Sequence, residues 1–250
     1  MKGASRRAFI AARDHFRELT EQLRVDLPDL PAAQEELIRS RPGPAYRLDT
    51  PVVYNWALDE IGPREEIRLI LVADNPGRRE QAAENRRYLV GPSGKLAEKF
   101  FREHPGLGID FRKNVVILNK TPIHTPRTAE LRELRRLGGP ALAEALLSSQ
   151  RAMVQILEEF RRALKPAPVW ITGYSEMKGG GVFEAFTEAL GALRAAIPAP
   201  DAPGEGLFFY RHFSMNQFTI DLGQQARPHE TTAETLARIG AARRRQILGW

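Results

Sequence analysis

The segment Ile67–Gly77, IRLILVADNPG, constrains the fold of this chain more than any other. Its apolar residues Ile67, Leu69, Ile70, Leu71 and Val72 are interrupted only by Arg68. A run without polar alternation suits a strand buried on both faces, as in the middle of a parallel sheet. It stops at Ala73-Asp74-Asn75-Pro76-Gly77, where proline removes a ladder donor and glycine frees the backbone. In an open α/β sheet, ligands bind in the crevice beyond the carboxyl ends of the strands. Asp74 and Asn75 are expected at that edge.

Further short apolar runs are NVVILN (Asn114–Asn119), PVWIT (Pro168–Thr172) and LFFY (Leu207–Tyr210). Between them lie segments of helical period. Met153, Leu157, Phe160 and Leu164 form one stripe, and Phe183, Phe186, Leu190 and Leu193 another. Helices are expected over Thr128–Leu137, Pro140–Leu164, Val182–Ala196 and Thr232–Leu248, with a loop over Pro198–Gly206. Ser93 is expected to cap a helix running through Leu96, Phe100 and Phe101. Strands alternating with helices, without repeats, imply an α/β fold: a three-layer α/β/α sandwich around a central four-stranded, mainly parallel sheet. One domain over residues 1–250 is expected, with 1–62 as a helical extension packed on it. In that extension Phe9, Phe16, Leu19 and Leu23 share one helix face. A short helix follows at Ala32–Ser40, and Val52, Val53, Tyr54 and Trp56 are expected beneath the sheet.

Composition narrows the chemistry. The chain has no cysteine, which excludes disulfides and cysteine-held zinc or iron–sulfur sites. No apolar run reaches the ~18 residues of a membrane span, and the charged N-terminus lacks the apolar block of a signal peptide. A cytoplasmic protein is expected. A formal charge of +6, from 37 Lys+Arg against 31 Asp+Glu, favours polyanionic partners. The basic run Arg243–Arg245 reads as a solvated helix face. The phrase GPSGK has Leu89 where a phosphate-binding loop needs glycine and Leu96 where it needs Ser or Thr, so it is no such loop.

Strand ends carry the candidate chemistry: Asn75, Asn119 and His212 each follow an apolar run. Parallel strands would converge them on one crevice. Two amides and an imidazole suit a flat, uncharged heterocycle and the anion that forms on it. They do not form a metal cluster of ligand spacing, and no serine sits on a glycine elbow.

The motifs then resemble a known family. ILVADNPG is similar to the GMNPG or GINPG motif of the uracil-DNA glycosylase superfamily. VVILN resembles the strand whose terminal asparagine reads uracil, YLVGPSGKLAEKFF resembles its PFVGxSGxLL segment, and YRHFSMNQ resembles its HPSRQN motif. The resemblance spans about Ile67–Gln217, with order and spacing in agreement. It implies that Asn75 positions the attacking water, that Asn119 reads the edge of an extruded base, and that His212 donates to the base as the glycosidic bond breaks. Asp74 is the candidate for general-base help. In the stacking segment the aligned residue is Leu89 with Tyr88 adjacent, so either Tyr88 turns inward or the base is gripped less tightly. Phe213 and Met215 replace prolines, and each either wedges into the DNA stack or fills core. Ser93, Lys120, Ser214, Met215 and Asn216 are expected to meet DNA. His124 and Lys120, in the loop after Asn119, either contact phosphate or are simply exposed. The resemblance thus implies a monomeric, cofactor-free DNA glycosylase acting on uracil. Its rivals are a glycosylase for hypoxanthine or xanthine, a non-catalytic nucleic-acid-binding relative, and an enzyme of small nucleotides.

Overall fold

The structure, a computed structural model, describes residues 1, 3–42, 44–194 and 206–250. The opening apolar run forms β1 (Leu69–Ala73), buried at every position. It pairs in parallel with β2 (Val115–Asn119) on one side and β3 (Val169–Thr172) on the other, and β3 pairs with β4 (Leu207–Tyr210). The order β2-β1-β3-β4 is parallel throughout, as the unbroken apolar runs imply.

Helices cover both faces of this sheet, giving the expected α/β sandwich. α1 (Gly3–Asp26) and α2 (Leu30–Ser40) precede it, and α3 (Pro92–Glu103) links β1 to β2. α4 (Leu131–Leu137) and α5 (Gly139–Ala163) link β2 to β3, and α6 (Glu184–Ala192) leads towards β4. α7 (Gln217–Gln225) and α8 (Thr232–Leu248) close the chain. The buried stripe of α1 lies on α5, where the Phe9 and Phe160 rings meet at 5.4 Å. Val52, Val53 and Tyr54 are buried, while Trp56 is partly exposed beneath the guanidinium of Arg86. α8 opens on a capping box, with Thr231 and Glu234 each bonding the other's backbone N–H.

Four local expectations change. Ser93 is not a cap: Gly91 holds that position, Pro92 opens the helix, and Ser93 lies inside the first turn. The run Arg243–Arg245 is no solvated face at its first two residues. Arg243 is buried against Asp221 at 2.5 Å, and buried Arg244 donates to the Leu207 carbonyl. α7 was not anticipated, because its buried face, Phe218, Asp221 and Leu222, contains an acid that breaks the apolar signal. The expected helix 182–196 ends at Ala192 among the described residues. The loop expected over 198–206 lies outside the described residues up to 205.

Candidate functional site

The ends of β1 and β2 are in register, Ala73 opposite Asn119. The Lys120 N–H reaches the Ala73 carbonyl at 3.0 Å and the Asp74 carbonyl at 2.9 Å, so pairing extends one residue past the strands. Asn75 follows on one strand, and His212 lies two residues beyond the end of β4. Asn75, Asn119 and His212 line one hollow of about 1250 Å³ at this carboxyl edge, with Asp74, Leu89 and Ser93. That exceeds the ~300–1,000 Å³ usual for small-molecule pockets.

Asn119 is buried, 1 % exposed, and neither its Nδ2 nor its Oδ1 has a protein partner. Leaving such a group unpaired costs roughly 1–3 kcal/mol, a penalty that a matching ligand removes. Asn75 is fixed differently. Its Nδ2 donates to Thr125 Oγ1 at 2.9 Å, which leaves Oδ1 as an acceptor at the hollow.

His212 is partly buried, and its Nδ1 accepts the Ser214 backbone N–H at 3.1 Å. An N–H can only donate, so Nδ1 is bare and the ring proton sits on Nε2. Burial lowers the imidazole below the ordinary histidine range, with Asp74 opposing the shift and Lys120 adding to it. The site thus holds a neutral imidazole with a donor at Nε2.

Two expectations for this edge are overturned. Lys120 is fully buried and does not line the hollow, so it is not placed to meet a phosphate there. Its Nζ lies 2.5 Å from Asp74 Oδ1 and 2.5 Å from the Thr172 carbonyl. Burial pulls its pKa down, and Asp74 pulls it back up. Thr128 Oγ1 donates to Asp74 Oδ2 at 3.2 Å, so each carboxylate oxygen already holds one partner while Asp74 still lines the hollow. The pair fits only because residue 173 is glycine: a Cβ there would collide with the Asp74 carboxylate. His124, for which contact or exposure was expected, is also buried. Its Nδ1 donates to the Pro76 carbonyl at 2.8 Å, and burial holds the ring at about 4.

The stacking alternatives separate cleanly. Tyr88 turns away from the hollow: its hydroxyl donates to the Val53 carbonyl at 2.6 Å and its ring lies by Phe16. Leu89 occupies the wall instead, in a left-handed conformation with φ 52°. Three contacts hold it there. Its N–H donates to Glu80 Oε1 at 2.9 Å, its carbonyl accepts from Arg112 at 3.0 Å, and Gly94 packs so closely on that carbonyl that a Cβ would collide.

At the rim, Ser214, Met215 and Asn216 separate as well. Ser214 and Met215 line the hollow, and Met215 is 81 % exposed; Asn216 is exposed just beyond it. Met215 and Asn216 both adopt positive φ, 50° and 57°. Phe213 fills core, its ring stacked on Phe218 at 4.2 Å. Four exposed arginines, Arg47, Arg78, Arg79 and Arg127, also line the hollow.

Of the lining residues that sequence reasoning missed, Glu80 and Tyr46 bear most on the site. Glu80 is buried, its Oε2 accepting the Gly77 N–H at 3.2 Å. Burial raises it to about 7 against the pull of the Gly77 and Leu89 N–H groups. Asn119 favours its charged form weakly without closing a hydrogen bond of normal geometry. Its only signal was the Gly77–Glu80 spacing, which lets a carboxylate return to its own turn. Tyr46 sits in a stretch of proline and glycine without periodicity, which gives no signal at all.

Among the described residues no group of three or more His, Asp or Glu could hold a metal ion, and no helix is long and apolar enough to cross a membrane. Compared with protein-family models the chain matches none, and no curated protein matches it.

Proposed function

We propose that this chain is a DNA glycosylase of the uracil type, which extrudes a deaminated base and hydrolyses its N-glycosidic bond. The observation that carries the reading is the unpartnered Asn119 amide sharing one hollow with a neutral His212 whose Nε2–H is a donor. A carboxamide offers one acceptor and two donors. Uracil presents N3–H and O4, which match Oδ1 and Nδ2; cytosine presents a bare N3 and an amino group, which match only the amide turned end for end, so the preference depends on the amide being held in the first orientation. By analogy with bidentate base reading the mismatch is worth about 1–3 kcal/mol.

The proton inventory suits the bond-breaking step. As the C–N bond breaks, negative charge gathers on the base and positive charge on the sugar. A donor already aimed at the developing anion contributes about 3–4 kcal/mol, by analogy with an oxyanion hole. Asn75 Oδ1 can orient a water by accepting one of its hydrogens but cannot remove its proton. Asp74 is committed to Lys120 and Thr128. With a partner already on each Asp74 oxygen, less than the full ~10²–10⁴-fold of general-base help is available, and slow turnover is expected. The arginines at the rim suit a phosphate backbone, and the exposed Met215 suits a wedge that fills the space left by the base.

The engaged Asp74 also favours a second reading, a member of the same fold that binds nucleic acid without turnover. Oligonucleotides carrying uracil, hypoxanthine or xanthine, single-stranded and mispaired, separate the two when abasic sites are scored by alkali. Excision of uracil supports the first reading and excision of a purine alone redirects it. Salt-sensitive binding without any abasic site supports the second.

A further inference from the structure

The segment 44–50, ahead of the sheet, forms one wall of the hollow through Tyr46, Arg47 and Asp49. It is fastened there by Gln81, which lines the same hollow. Gln81 Oε1 accepts the Asp49 N–H at 2.7 Å and the Thr50 N–H at 3.1 Å, while its Nε2 donates to the Arg47 carbonyl at 3.0 Å.

Tyr46 is held more tightly still. Its hydroxyl lies 2.8 Å from His124 Nε2, and His124 Nδ1 lies 2.8 Å from the Pro76 carbonyl. A carbonyl can only accept, so Nδ1 carries the proton and Nε2 accepts the phenol. The chain Tyr46–His124–Pro76 thus locks the ring to the turn that presents Asn75. The Arg78 guanidinium lies over one face of the ring, 4.9 Å from its centroid, so a base would take the opposite face or displace Arg78.

Among the described residues lining the hollow, Tyr46 is the only phenylalanine, tyrosine or tryptophan. Leu89 is aliphatic, and Tyr88 faces the core. A flat heterocycle held at its edge by Asn119 still needs a face to lie on. We infer that Tyr46 is that face, the aromatic wall that stacks on the nucleobase taken into the hollow. The inference rests on the glycosylase reading and assigns its stacking residue to the segment ahead of the sheet.

The ring is immobilised before the base arrives, so little freedom is lost on stacking. Base–aromatic stacking is worth about 1–3 kcal/mol, or roughly 5- to 150-fold in affinity.

The test uses fluorescence anisotropy with the full chain and two oligonucleotides. One carries 2′-fluoro-2′-deoxyuridine, whose fluorine slows glycosidic cleavage, and the other carries a tetrahydrofuran abasic analogue at the same place. Excision from a plain uracil oligonucleotide is measured in parallel. Tyr46→Leu is expected to weaken binding of the base-bearing oligonucleotide about 5- to 150-fold and to leave the abasic one within about twofold. Tyr46→Phe, which keeps the ring and loses the bond to His124, is expected to restore most of the affinity. Equal weakening on both oligonucleotides overturns the assignment, because the loss would not depend on the base. Native-like binding by Tyr46→Leu, with uracil still excised, overturns it while the glycosylase reading stands. A native protein that neither binds the fluorinated oligonucleotide nor excises uracil overturns both.

Discussion

Lys120 Nζ lies 2.5 Å from Asp74 Oδ1, both groups held at the carboxyl edge of the sheet and Lys120 closed to solvent. The pair joins the ends of β1 and β2, and the bond from Lys120 to the Thr172 carbonyl adds the end of β3. The strand ends that present Asn75 and Asn119 are therefore tied together by charge as well as by the ladder. Removing one partner of a buried pair leaves an uncompensated charge and costs about 3–5 kcal/mol. Lys120→Met is predicted to destabilise the protein by about that much. Replacing Asp74 by Leu in the same chain should recover part of the loss. Urea unfolding of the single and double variants measures both, and a single-variant loss under about 1 kcal/mol contradicts the pairing.

Gly173 makes room for that pair. Its φ is 76°, and an added Cβ would strike the Asp74 carboxylate. Gly173→Ala is predicted to lose at least the ~1–2 kcal/mol of a left-handed non-glycine residue, with the collision in addition. Thermal unfolding checks it, and an unchanged midpoint would refute the close approach.

Glu80 gives stability a pH dependence of definite sign. Burial raises its carboxyl from 4.5 to about 7. Between those values the folded chain holds a proton that the unfolded chain releases, so stability falls as pH rises through the window. The full loss is about 3 kcal/mol for a shift of this size. Glu80→Gln does not titrate, so its stability relative to the native protein should improve by about 3 kcal/mol between pH 4.5 and 8. Denaturant midpoints across that range test it, and a constant difference would contradict it.

In Glu80→Gln, which removes the lining carboxyl that titrates at about 7, His212 sets the pH dependence of activity. Its pKa lies below the ordinary histidine value because it is buried. Protonation would put a hydrogen on Nδ1, facing the Ser214 N–H, and break the bond that orients the ring. Excision by this variant is therefore predicted to stay level down to about pH 6.5 and to fall only below it. A rate already falling well above that pH would contradict a neutral donor at Nε2.

The fold was legible where one side chain's surroundings repeat along the chain. Unbroken runs such as Leu69–Ala73, bounded by turn residues, suit doubly buried strands, and their ends place Asn75, Asn119 and His212 together. What escaped was set by contacts between distant segments. Lys120 reads as a loop cation until Asp74, 46 residues earlier, is seen beside it. Tyr88 and Leu89 are neighbours in sequence, and only the bonds from Glu80 and Arg112 decide which of them faces the hollow. Arg243 looks solvated because Asp221, its partner, lies on a helix whose apolar signal that same acid interrupts.

Single-turnover excision of uracil, with enzyme in excess, tests the central claim most directly, because it reads the bond-breaking step apart from product release. Native protein is predicted to convert the uracil oligonucleotide slowly and completely. His212→Ala should slow that step by about 10²–10³-fold, and Asn119→Ala should slow it while eroding the preference for uracil over cytosine. His212→Ala leaves the Ser214 N–H without its acceptor and Asn119→Ala removes an unpartnered buried amide, so the unfolding midpoint of each variant is measured alongside to separate folding from the chemical step. Excision at the native rate by either variant, or none by the native protein, would contradict the account.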